Sequence, residues 1–123
     1  MDTSGGEKTF QMALLFDFYG ELLTERQHVC FDCYYNDDLS LMEIAEAQGI
    51  TRQAVRDHIV RAENTLTDIE CKTGLVSRFR EINETVAGME RELWELISLV
   101  DGRALELASH LRGHLDTLRG GGA

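Results

Sequence analysis

The sequence contains no proline. Nothing along it removes a helical backbone donor or clashes with the preceding turn, so long uninterrupted helices are permitted throughout. Long apolar runs are equally missing. The densest, from Met12 to Phe16, is far short of the ~20 residues that cross a bilayer, and no segment has the layout of a secretory signal. Membrane insertion is therefore not expected. Cysteine is scarce, at Cys30, Cys33 and Cys71 only; an odd number without framework spacing argues for a reducing, cytoplasmic setting. Positive charge is scarce too, with 12 Lys and Arg against 22 Asp and Glu and a formal net charge of −10. Phosphate neutralisation supplies most of a nucleic-acid binder's affinity, so a chain this acidic repels a polyanion unless its bases are locally concentrated. The phosphate-binding Gly-Lys-Ser/Thr loop, the dinucleotide fingerprint and the nucleophile elbow are all absent. No enzymatic activity and no cofactor are expected.

What is present is helical periodicity. With 123 residues, 43% of them hydrophobic, the chain has enough material for one compact domain or a small domain with an extension. The spacing predicts six helices, over 10–22, 24–35, 40–47, 51–72, 76–100 and 103–119. Residues 1–8 read as a frayed start and the Gly120-Gly121-Gly122-Ala123 tail as disordered. In the first helix Phe10, Leu14, Leu15, Phe18 and Leu22 make the apolar face; in the second, Val29, Cys30, Cys33 and Tyr34. Thr24 with Gln27 and Ser40 with Glu43 have the spacing of capping boxes, and Thr51 has the chemistry of a third cap.

The stretch from Leu41 to Ile59 has the pattern of a helix-turn-helix. Two helices cross at the required angle only where the contact is small and the turn tight. Ala45 supplies the small contact, Gly49 the left-handed turn, and Ile44, Ile50, Val55 and Ile59 the wedge between the helices. In such a motif the second helix presents its first turns to the major groove. Thr51, Arg52, Gln53, Arg56 and Asp57 would then point outward. Gln53 has the chemistry to pair with adenine and Arg52 or Arg56 to read guanine or hold phosphate, while Arg61 lies where a backbone contact is expected. The helix start adds free N–H groups. Between Thr51 and Arg61 three arginines face one aspartate. Asp57 and Arg61 are also four residues apart, the spacing of an intrahelical ion pair.

Beyond residue 74 the pattern changes. Phe79, Ile82, Val86, Met89, Leu93, Leu96 and Val100 alternate steps of three and four, Asp101-Gly102 interrupts, and Ala104, Ala108, Leu111, Leu115 and Leu118 resume. Such stripes belong to coiled-coil-like helices seeking partners. They divide the chain into a helix-turn-helix domain, 1–74, and a helical extension, 75–123, that carries a homodimer. Cys30 and Cys33 stand near His28, but only Cys71 and His58 offer further ligands, and helical cysteine packs as a small hydrophobe. His110 and His114 lack the adjoining glutamate of a zinc-protease helix. No metal site is expected.

Several runs together resemble the YlxM family of bacterial helix-turn-helix proteins: Phe16-Asp17-Phe18-Tyr19-Gly20-Glu21-Leu22-Leu23-Thr24, Tyr34-Tyr35, Asp38-Leu39-Ser40-Leu41, Glu43-Ile44-Ala45, Arg52-Gln53-Ala54-Val55 with Asp57, and Arg61-Ala62-Glu63. The likeness runs from Leu15 to about Leu75, and the same half is similar to the promoter-binding fourth region of bacterial sigma factors. It implies an all-α helix-turn-helix fold, winged-helix-like or sigma-region-four-like, with no catalytic residues. It also implies a link to the signal recognition particle pathway, as a regulator acting on DNA or as an accessory of the particle's GTPase or RNA.

Overall fold

Three side-chain caps frame the first half of the chain. Gln27 N–H donates to Thr24 Oγ1 at 3.2 Å and Thr24 N–H to Gln27 Oε1 at 3.4 Å. Ser40 and Glu43 repeat the exchange at 3.1 and 2.9 Å, and Thr51 Oγ1 accepts from the Ala54 amide at 3.0 Å. Each cap satisfies donors that a helix start otherwise leaves without partners. The structure, a computed structural model that describes residues 3–121, contains six helices among those residues. They are α1 (Thr3–Tyr19), α2 (Glu25–Tyr35), α3 (Leu41–Gln48), α4 (Arg52–Thr73), α5 (Leu75–Ile97) and α6 (Gly102–Gly121), with a 3-10 turn at Gly20–Leu22. Among the described residues there is no strand, hence no β-wing. The fold is all-α.

The element ends depart from the sequence expectations by more than one residue in four places. The helix expected from Phe10 already starts at Thr3; Met1 and Asp2 of the expected frayed start lie outside the described residues. It ends at Tyr19 and not at Leu22, passing into the 3-10 turn at Gly20, a buried residue where a Cβ would stand 3.0 Å from the Phe16 ring. The fifth helix ends at Ile97, where the Ser98 and Leu99 amides bond three residues back to Glu95 and Leu96 at 3.2 and 2.9 Å, so Val100 lies beyond it. Gly120 and Gly121 complete α6; Gly122 and Ala123 lie outside the described residues.

The chain divides into two compact units, one ending at Val76 and the other beginning at Ser77. In the first, two buried clusters share α2 and α4. Leu15, Tyr19, Leu23, Phe31, Ala62, Leu66 and Val76 form one. Cys30, Ile44, Ala45, Val55 and Ile59 form the other, with Ile50 packed against it. The Ile44–Ile50–Val55–Ile59 wedge matches the sequence expectation. The α1 and α2 faces match only in part: Leu15 and Cys30 are buried and Leu14, Val29 and Cys33 partly so, as expected, but the rest of each face is displaced. Phe10, Phe18 and Leu22 are exposed while Leu15, Tyr19 and Leu23 are buried, and in α2 Phe31 is buried while Tyr34 is 40% exposed. Both helices are apolar around much of their circumference, so the position of their neighbours, not their own periodicity, selects the buried stripe. Tyr19 OH donates to Glu70 Oε1 at 2.6 Å, and the same carboxylate oxygen accepts from the Val76 amide at 3.0 Å. This ties α1 to the junction of α4 and α5, and burial followed by the Glu70 hydrogen bond raises the phenol's pKa.

In the second unit α5 and α6 form an antiparallel hairpin. Val86 and Leu93 meet Ala108 and Leu115, with Ile97 alongside. One edge carries polar contacts: Arg119 lies 2.6 Å from Glu90, and the Arg112 guanidinium sits 5.1 Å from the Trp94 ring centroid. Two of the seven stripe residues assigned to association, Val86 and Leu93, are thus used within the chain.

The Ser40 cap yields two expectations. Ser40→Ala removes the acceptor for the Glu43 amide and lowers stability by about 1 kcal/mol in urea unfolding. The Ser40 amide, then its hydroxyl, hold the Glu43 carboxyl below its ordinary pKa. A depressed carboxyl stabilises the fold above the ordinary carboxylate pKa and loses that effect as pH falls through the folded-state value. The stability difference between wild type and Glu43→Gln therefore shrinks on acidification, read from melts between about pH 6 and pH 3.

Candidate nucleic-acid interface

The turn between α3 and α4 is built from backbone chemistry. Gly49 has φ 68°, a left-handed conformation open to glycine without a Cβ penalty, and the Ile50 amide returns to the Ala45 carbonyl at 3.1 Å. Arg26 of α2 reaches across and donates to the Gln48 carbonyl at 3.2 Å. It thereby satisfies an acceptor that the end of α3 leaves open. Periodicity gave no signal for this residue, because its partner stands 22 positions away.

Beyond the turn, α4 presents two neighbouring rows opposite its buried face. Arg52 and Arg56 make one, a turn apart; Gln53, Asp57 and Arg61 make the other, and all five are exposed. Thr51 is exposed as well, its hydroxyl committed to the Ala54 amide. The spacing of Asp57 and Arg61 leads to no ion pair. Asp57 Oδ1 instead accepts from Gln53 Nε2 at 3.0 Å, four residues in the other direction. The Gln53 amide is therefore engaged along its own helix. Among the described residues no carboxylate pairs with Arg52, Arg56 or Arg61. Three unpaired guanidinium groups thus share one helix surface in a chain whose net charge is −10.

Behind this surface Arg56 borders a cleft walled by Tyr34, Leu41, Val60 and Glu63. Tyr35 donates a short hydrogen bond to Glu63, whose carboxylate also lies 4.0 Å from Lys8 Nζ. Burial first, then Glu63, pushes the Tyr35 phenol well above its usual range. Glu63, one of the acids nearest the arginines in sequence, is thus already occupied. Cys30 is fully buried and Cys33 half-buried; burial raises both thiol pKa values, which keeps these groups protonated. Among the described residues no three His, Cys, Asp or Glu side chains converge as a metal site, and no helix is long and apolar enough to cross a membrane.

Two capped helices meeting at a left-handed glycine around an apolar wedge define a helix-turn-helix protein. Comparison with known families agrees. Residues 6–99 match the UPF0122 family, described as "Putative helix-turn-helix protein, YlxM / p13 like", and the chain belongs to that family. It is 51% identical over 89 residues to a UPF0122 protein of Desulforamulus reducens, covering 72% of this chain and 70% of that one. A UPF0122 protein of Bacillus mycoides is 47% identical over 89 residues, 72% of this chain and 81% of its own. One of Listeria welshimeri is 44% identical over 87 residues, 71% and 79%. The family match ends at residue 99, so α6 lies beyond it.

The Arg26 contact is testable by itself. Arg26→Ala leaves the Gln48 carbonyl to solvent and lowers stability by about 1 kcal/mol. In amide exchange the expected drop in protection is greatest at the Gly49–Ile50 turn.

Proposed function

We propose that the protein is a DNA-binding regulator that places the first turns of α4 in the major groove, with Arg52 and Arg56 as its principal contacts. The observation that carries this reading is the set of unpaired, exposed arginines immediately after the turn, where a recognition helix presents its side chains. Arg52 and Arg56 reach guanine edges or phosphate, Arg61 reaches the backbone, and the amides beside Thr51 offer a further phosphate contact. Gln53 donates one amide hydrogen to Asp57 and keeps its second N–H and its carbonyl oxygen, the pair that reads adenine. The residues up to Val76 carry 14 acids and six bases. That excess weakens long-range attraction to DNA and makes contact depend on the local arginine cluster.

A second reading is favoured by the same acidic surface, which suits a basic protein partner. In it, the chain is a cytoplasmic accessory of the signal recognition particle, binding its GTPase or its RNA, as the family resemblance implies.

Fluorescence anisotropy across a salt series separates the two, using pooled genomic DNA fragments and the particle's RNA as probes. DNA binding by wild type is expected to weaken in Arg52→Ala/Arg56→Ala by about 1–3 kcal/mol for each arginine that had bonded to a base. The salt slope is expected to fall by about 0.9 for each arginine that had neutralised a phosphate. Equal DNA binding by wild type and double variant would sink the groove-reading role. RNA or GTPase binding in the absence of any DNA binding would favour the accessory role.

A further inference from the structure

The hairpin of α5 and α6 carries more apolar surface than it buries. Each helix has two adjacent rows repeating every seven residues. Val86 and Leu93 of α5 and Ala108 and Leu115 of α6 fill the space between the two helices. The second rows, Ile82, Met89 and Leu96 on α5 with Leu111 and Leu118 on α6, are 42–59% exposed. They lie on one side of the hairpin. Met89, Leu96 and Leu111 line a groove of about 470 Å³, and Ile82, Met89 and Leu118 line the cleft that continues it. The opposite edge carries the Arg119–Glu90 pair and Arg112 over Trp94. That edge is polar, with charged groups around the exposed Trp94, whereas the edge beside Met89 is apolar.

We propose that this apolar edge is a homodimer interface, at which a second copy of the Ser77–Ala123 unit docks and the two hairpins close a four-helix bundle. A seven-residue row meshes with helices of the same repeat, and a hairpin with two open rows accommodates two of them. A second copy supplies those two rows at the same spacing and over the same length, which is the self-complementarity a two-fold interface requires. From Ile82 to Leu96 the row runs about 21 Å along α5. Its half-exposed side chains, with their α6 neighbours, present on the order of 400 Å² of apolar surface, a patch size that marks association. With its rim, the face approaches the roughly 800 Å² per partner of a standard interface.

Charge points the same way. The unit from Ser77 onward has eight acids and six bases, whereas the residues up to Val76 have 14 and six. The rim carries both signs, with Arg78, Glu81, Glu92 and His114 beside the groove. Two copies therefore meet here without the like-charge repulsion that the first unit would impose.

The test is the molar mass of the full chain in reductant, by light scattering and sedimentation from low to high micromolar concentration and without nucleic acid. Its outcome is thus independent of the reading of α4. Wild type is expected at twice the chain mass, and Met89→Glu/Leu111→Glu at the monomer mass with unchanged helical circular dichroism. Trp94→Glu, on the opposite, polar edge, is expected to remain dimeric. Should the charged variant lose helicity, Met89→Ala/Leu111→Ala decides, with an expected weakening of association of at least about tenfold. A wild type that is monomeric throughout overturns the proposal and leaves the groove to another partner. So does a dimer that survives both groove variants with undiminished affinity.

Discussion

One apolar row on α4 organises the first unit, because it passes through both of that unit's cores. Val55 and Ile59 close the helix-turn-helix wedge with Ile44, Ala45 and Cys30, while Ala62 and Leu66 pack with Leu15, Tyr19 and Phe31. Since these residues lie on a single helix face, docking one half of α4 sets the rotation of the other. The exposed surface of Arg52, Arg56 and Arg61 is a consequence of that rotation. So is the burial of Ala62, which contributes little bulk where α4 meets the first cluster. The capping boxes and the Arg26 bridge then fix where the helices start and stop around this axis.

The chain's acidity and its arginine surface are reconciled by how the nearby carboxylates are used. Asp57 is taken by Gln53, Glu63 by Tyr35 and Lys8, and Glu70 by Tyr19 and the Val76 amide. None of these carboxylates forms an ion pair with the exposed arginines among the described residues. Short-range attraction to an anion at the start of α4 thus coexists with long-range repulsion from the molecule as a whole. Such a surface discriminates against loosely held polyanions and rewards close contact, since screening removes the distant repulsion sooner than the near attraction.

The second unit obeys a different rule. Its helices are amphipathic with a strict repeat, yet each pairs with the other through only one of two apolar rows. A two-helix hairpin lacks the volume to bury both, which is the general reason small helical layers associate. The groove beside Met89 is the remainder of that geometric mismatch.

The amino-acid pattern alone determined the helix-turn-helix. Thr24, Ser40, Thr51 and Gly49 act through atoms at most three or four residues away, and the α4 stripe is a local 3.6-residue repeat, so each is legible without tertiary knowledge. The outward placement of Arg52, Arg56 and Arg61 follows from the same repeat. Other features needed the folded chain. Which stripe of α1 and α2 is buried depended on where neighbouring helices lie, because both helices are apolar on more than one side. Asp57 had two partners at four-residue spacing, Gln53 and Arg61, and only side-chain geometry decided for Gln53. Arg26 with Gln48, Tyr19 with Glu70 and Tyr35 with Glu63 join residues 22, 51 and 28 positions apart. Local periodicity carries no information about such pairs, because their proximity is created by packing.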